Sequence, residues 1–203
     1  MDNASCDFSY GTCDYATIQS TNGVKWVKGQ RTEVSSDNTM GNYFYVMSDN
    51  STGGTQTFLF SKYFQALGSE SVSFDYLNNQ FTRFEIGYIN TLSGNDTMYD
   101  IQYSDINFLY TTTSPADRWT RQCINLGAVT GTIAIIFVHT SRGSNSQLTA
   151  VDNIDVSMFG CHEGIYESMC RFEPSDLCGY NITTPDNCPT EHTYSWTKQR
   201  LIG

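Results

Sequence analysis

The chain has 203 residues, and its 11 Lys and Arg face 21 Asp and Glu for a net charge of −10. No stretch clusters the few cations, which argues against a nucleic-acid or anionic-membrane partner, since phosphate binding needs a basic face. The longest apolar run, Ile133 to Val138, is far too short to insert into a bilayer. With 13 Tyr, 12 Phe and 16 Gly, and Ser, Thr and Asn abundant, the composition suits strands with polar turns better than amphipathic helices.

In chain order, Met1 opens onto a polar stretch without a hydrophobic signal core, so a leader and any anchor are expected outside this sequence. The first motif is CDFSYGTCDY, which sets Cys6-x-Phe8 beside Cys13-x-Tyr15, with Trp26 and the Lys28–Gln30–Arg31 group following. From residue 40 onward, apolar and polar residues alternate: Tyr43 and Tyr45, Phe58 and Phe60, then Val72, Phe74 and Tyr76. Phe84, Ile86 and Tyr88 follow, then Tyr99, Ile101 and Tyr103, with Gly, Asn, Asp and Ser interrupting between the runs. Two later segments, 131–140 and 148–158, read as longer strands, and no segment carries an apolar stripe of helical period. The pattern predicts an all-β, antiparallel two-sheet sandwich or a barrel. Val72, Phe74, Phe84, Ile86, Ile133, Ile135, Phe137 and Ile154 are expected in its core.

After Cys161 the sequence repeats itself. Cys170-x-Phe172 and Cys178-x-Tyr180 echo the opening motif, and Trp196, Lys198, Gln199 and Arg200 echo what followed it. A repeat this long is domain-sized, far beyond solenoid periods. We expect one module at 6–161, a linker at 162–169 and the truncated start of a second module at 170–203. That tail holds too few apolar groups to order itself and is expected to be mobile or loosely docked.

Cysteines paired at separations of seven and eight residues point to disulfides and an extracellular setting rather than to zinc, whose ligand pairs lie closer in sequence. The sequons at Asn3, Asn50, Asn95 and Asn181 are glycosylation candidates, although this composition yields about as many by chance.

The ordered set CDFSYGTCDY, Trp26, SSDNTMGNYFYV, SVSFDYL, DRWTRQCINL and LTAVDNIDV ending at Cys161 resembles a MAM domain. MAM domains are adhesion modules of meprins, receptor protein tyrosine phosphatases and neuropilins. The resemblance implies a jelly-roll-like β-sandwich with no catalysis of its own, acting in extracellular protein–protein contact that is often homophilic. It further implies membership of a secreted or membrane-associated protein. It implies a local Cys6–Cys13 bond and, in the second copy, Cys170–Cys178. In many family members a long-range bond joins the strand before F-x-Y to the domain's end, and here that upstream position is Ser71. This chain instead carries Cys123, which we expect to pair with Cys161 in a departure from that pattern, a free buried Cys123 being the alternative. Closing that loop would stabilise by roughly 4 kcal/mol. Cys188 is left over, its partner expected in the remainder of the second module.

Asp152 stands out among polar residues. In the last strand Leu148, Ala150, Asp152, Ile154, Val156 and Met158 share one parity and are expected on one face. A carboxylate among inward aliphatics needs a cation or several donors. Related jelly-roll modules hold a calcium or sodium ion with the Glu of an opening Phe-Glu pair and an Asp of this strand. Here Ser9 replaces that Glu, although Asp7, Asp37 or carbonyls could substitute, so a structural ion and hydrogen bonding alone both remain open.

No Gly-x-Ser-x-Gly turn, His-Glu-x-x-His pair or phosphate loop is present, and His139 reads as a strand-end residue. Trp26, Trp119 and Arg121 read as packing and salt-bridge elements. Tyr43, Tyr45, Tyr63, Tyr88, Tyr99 and Tyr103 could form a sugar-stacking platform, making a carbohydrate-binding module the second reading. The simpler account puts those rings at the margins of the core with their hydroxyls in water.

Overall fold

The computed structural model describes residues 4–8, 11–20, 22–30, 42–48, 53–79, 82–90, 101–143, 147–158 and 160–161. All belong to one compact unit, Met1–Cys161. The expectations for 162–169 and 170–203, including Cys170, Cys178 and Cys188, lie outside the described residues, as do Asn3, Asp37, Asn50, Asn95, Tyr99 and Asn181.

The strands are β1 (Ala16–Ile18), β2 (Val27–Gln30), β3 (Asn42–Ser48), β4 (Gln56–Phe60), β5 (Phe64–Leu67) and β6 (Ser71–Asn78). They continue with β7 (Arg83–Asn90), β8 (Asn107–Thr112), β9 (Ala116–Asn125), β10 (Thr130–Thr140) and β11 (Gln147–Ser157). They form two antiparallel sheets. One runs β1-β4-β10-β7-β8 with β5 also on β10; the other runs β2-β3-β11-β6-β9. Among the described residues the only helical element is a 3-10 turn at Tyr103–Asp105.

Alternation decides which side chains meet between the sheets. Val72, Phe74 and Tyr76 of β6 face Phe84 and Ile86 of β7 and Ile133, Ile135 and Phe137 of β10 in one continuous core. All eight residues expected inside are buried there. Phe74 meets Phe137 edge-on at 5.4 Å across the sheets, and Phe84 stacks on Phe137 at 6.3 Å. β10 is apolar on both faces, because a second cluster of Phe58, Phe60, Ile89, Ala134, Ile136 and Val138 lies outside its sheet beneath Ile101 and Ile106. Gly87 belongs to this covered region: a Cβ there would lie 2.5 Å from the Asn107 carbonyl oxygen, where β7 and β8 shift register.

The β5–β6 turn closes on a buried carboxylate. Glu70 accepts the backbone N–H groups of Leu67 (2.7 Å), Gly68 (3.0 Å) and Ser69 (3.1 Å). Burial alone would push its carboxyl up, but these N–H donors together hold it below its usual value. Glu70→Gln is therefore expected to cost about 1–3 kcal/mol at pH 7 by unpairing turn donors. A lowered folded pKa means that Glu70's contribution is present above the ordinary carboxylate range. It is lost as pH falls through the lower folded value. Urea denaturation of both proteins at pH 7 and pH 3 checks this, and an equal gap at the two pH values would contradict it.

Candidate functional site

The opening motif is built onto the last strand. Cys6 pairs with Ile154 through both backbone bonds, and the Ser5 hydroxyl accepts Val156 N–H at 2.9 Å. The segment thus takes over the edge of β11 that β3 pairs only from Gln147 to Val151. Phe8 is buried against Tyr15 (5.4 Å) and Phe44 (5.0 Å), and Tyr15 donates to the Ala4 carbonyl. Around this plug the chain closes the Cys6–Cys13 disulfide. A second disulfide joins Cys123 to Cys161, the pairing expected despite the family pattern. Trp26 is buried with its indole N–H on the Thr57 carbonyl, so it serves packing.

Asp152 does not share a face with Ile154, which corrects the reading from simple parity. β11 pairs with β6 from Thr149↔Asn78 to Asp152↔Asp75 and resumes at Asp155↔Ser73, one residue out of step. The bulge centres on Asn153, whose φ of 48° is a left-handed conformation that Asn tolerates. Val151 and Ile154 both reach the inter-sheet core, whereas Ala150 joins an outer cluster with Tyr43 and Leu77. Asp152 is consequently buried on the outer face of its sheet, directly opposite Asp75.

That carboxylate pair is well supplied with donors. Arg121 reaches Asp75 (3.2 Å), the Asn153 carbonyl (2.8 Å) and the Ser73 hydroxyl (2.6 Å). The Asn153 amide donates to Asp75 at 2.6 Å, and its backbone N–H donates to Asp152 at 2.7 Å. Among the described residues, no group of three or more His, Cys, Asp or Glu could hold a metal ion. Calcium takes about six to eight oxygens, whereas Asp75 faces the Arg121 guanidinium and the Asn153 amide. EDTA is expected to leave the melting curve unchanged. Asp152→Ala should cost about 1–3 kcal/mol by leaving donors unpaired. A fall of several degrees with chelator would restore the ion.

The tyrosines divide between faces. Tyr43 and Tyr45 lie on the outer face of the β3 sheet, where Tyr43 meets Trp119 at 5.7 Å and Met47 is exposed. Tyr63 and Tyr103 pack on the outer cluster of the opposite sheet, and Tyr88 packs against the core. Among the described residues these tyrosines do not share one face.

One buried polar group has no counterpart in the sequence reading, and a second, His139, reads there only as a strand-end residue. Glu85 is fully buried on the outer face of β7. It accepts from the Tyr103 hydroxyl through both oxygens (2.9 Å each) and from Thr111 (3.3 Å), and it pairs with Arg83 at 2.8 Å. Burial and the adjoining Glu85 push the Tyr103 hydroxyl above its usual pKa. His139 is also fully buried, between the sheets. Its Nε2 pairs with Ser48 (3.0 Å) and its Nδ1 with Thr149 (2.9 Å). This is a serine–histidine contact, yet Ser48 and Thr149 are buried too, so no nucleophilic oxygen faces solvent.

One open cleft of about 550 Å³ lies on the outer face of the six-stranded sheet, between the β1–β2 connection and the 3-10 turn. Its floor includes Phe58, in register with Ile18 of β1 and Val138 of β10.

A family model for the MAM domain (meprin/A5/mu) matches residues 6–162. Among solved structures, the chain is similar to the K1 cleaved adhesin domain of Lys-gingipain from Porphyromonas gingivalis W83. The identity is 16% over 75% of this chain and 96% of that one, with a TM-score of 0.55. The K3 adhesin domain of the same protein gives 18% identity, 75% and 97% coverage and a TM-score of 0.54. A family 11 carbohydrate-binding module from Clostridium thermocellum, solved with a mixed-linked tetrasaccharide, gives 16% identity, 78% and 97% coverage and a TM-score of 0.48. Likeness at these identities is one of fold. No curated protein sequence matches the chain.

Proposed function

Because this chain belongs to the MAM family, we propose that it is a non-catalytic protein-contact module of a larger extracellular, membrane-associated protein, working in adhesion or assembly. The observation that carries this reading is the extent of the match, which takes in the whole sandwich from Cys6 onward. Two disulfides within the described residues support an oxidising compartment. The partner is a protein, a second copy of the chain being the first candidate. We further propose that 162–169 is a linker, that 170–203 opens a second module, and that Asn3, Asn50, Asn95 and Asn181 are glycan acceptors.

Beads coated with the full chain test the contact. Self-aggregation indifferent to free sugars supports it, as does trypsin-sensitive attachment to cells when the beads alone stay dispersed. Attachment that survives trypsin and is lost on glycosidase treatment overturns it in favour of sugar binding. Extension of the chain through a complete second module should add a second cooperative unfolding transition.

A further inference from the structure

The cleft on the six-stranded sheet has a chemistry unlike the rest of this acidic chain, since none of its lining residues is charged. Its polar side chains are mainly carboxamides, those of Gln19, Asn22, Gln56 and Gln102, and its rings are Phe58 and Tyr103. Asn22 donates to Thr55 at 2.9 Å, and its amide oxygen is the acceptor of the same carboxamide. The carboxamides of Gln19 and Gln56 line the cleft, and each carries both a donor and an acceptor.

Tyr103 is held from several sides. Its hydroxyl is held by both oxygens of buried Glu85, its ring packs on Phe108 at 4.7 Å, and its turn is closed by a capping box between Gln102 and Asp105. A ring fixed in this way presents its edge or face to the cleft without losing rotamer freedom when a ligand arrives. Glu85 spends its charge on Tyr103, Thr111 and Arg83, so a buried carboxylate orients the ring while the cleft stays neutral.

From this geometry we infer that the cleft is a subsite for a neutral carbohydrate. Sugar hydroxyls are at once donors and acceptors, as carboxamides are, and apolar C–H faces of a pyranose pack on aromatic rings. A volume of about 550 Å³ is within the range of small-ligand sites and takes a short oligosaccharide. An anionic glycan has no cation to meet among the lining residues. This site goes beyond the protein-contact reading and does not depend on it, because bead aggregation reports contact at any surface whereas a titration reports the cleft itself.

The test is a 15N–1H NMR titration of the full chain with neutral tri- to hexasaccharides of β-1,4-linked glucose, xylose, galactose and N-acetylglucosamine. A sulfated and a sialylated oligosaccharide serve as anionic probes. At least one neutral probe is expected to shift the side-chain amide signals of Gln19 and Gln56. Gln56→Ala and Gln19→Ala should each weaken that binding by about tenfold with unchanged melting temperature, the effect of one lost ligand hydrogen bond. Tyr103→Phe keeps the ring and removes its tether to Glu85, and should weaken binding while leaving the remaining amide shifts in place. The inference is overturned if no neutral probe shifts these amides at millimolar concentration, if anionic probes bind as well as neutral ones, or if both glutamine variants bind like the parent.

Discussion

Removing the Cys123–Cys161 disulfide as the double variant Cys123→Ala/Cys161→Ala is expected to lower unfolding free energy by about 4 kcal/mol. The bond closes a sequence separation of 38 residues, so it restricts the unfolded chain far more than Cys6–Cys13, whose separation is 7. It also acts at a weak place in the native state. β9 is an edge strand paired only to β6 within its sheet, and Cys161 follows the last strand, where its N–H is held by the Asn125 side chain at 2.6 Å. Without the bond, the segment after β11 and the edge strand keep that hydrogen bond and little else in common among the described contacts. Urea denaturation of parent and variant should therefore show a lower midpoint. The parallel variant of Cys6 and Cys13 should lose only about 2–3 kcal/mol. A loss under about 1 kcal/mol for the longer loop, or the reverse ranking, would show that residual denatured-state structure outweighs chain entropy.

Legibility in the sequence followed the physics of each element. Strict alternation put Val72 and Phe74, Phe84 and Ile86, Ile133, Ile135 and Phe137 inside, because a sheet with one face on a core enforces period two. The unbroken run in β10 is where that rule loses its discriminating power: Ile136 and Val138 are as buried as Ile135 and Phe137, but on the opposite face. Asp152 was misplaced for a local reason. The triplet spacing of Val151 and Ile154 around Asp-Asn was the available signal of a bulge, since two inward residues three apart cannot lie on a regular strand. Glu85 left no such trace. Alternation puts it outward, and its burial comes from Tyr103 and the neighbouring turn, a contact between residues 18 apart. Nor does sequence show which face each tyrosine takes: Tyr43 packs outside one sheet and Tyr103 outside the other. The cleft draws on three separate stretches of chain that only strand order brings together.

Stability is expected to fall by about 3 kcal/mol between pH 6.5 and pH 4 on account of His139 alone. Burial between the sheets pushes its imidazole down to about 4 from the usual 6.5. Hydrogen bonding does not account for this preference. Ser48 can pass its proton to Gln147 (3.1 Å) and Thr149 can pass its own to Asn78 (2.8 Å), so the two hydroxyls could accept from a doubly protonated ring. Thr82 also donates to Asn78, and Arg142 N–H donates to Gln147 at 3.2 Å, so the same hydroxyls are equally free to serve a neutral ring in either tautomer. What disfavours the cation is the loss of water, and among the described hydrogen bonds of this network none involves a carboxylate. The sign follows from the two protonation states. Above 6.5 the ring is neutral in folded and unfolded chains alike, and its contribution is complete. Between 6.5 and 4 only the unfolded chain binds the proton, so stability falls with pH. Below 4 both states bind it and the loss levels off. His139→Gln keeps a donor and an acceptor between Ser48 and Thr149 without a titrating group. The gap between parent and variant, measured by urea denaturation at several pH values, should narrow by about one proton's slope across this window. Should the variant not fold, the imidazole carbon shifts of the parent report the same quantity: a His139 titration near 6.5 instead of near 4 would overturn the expectation.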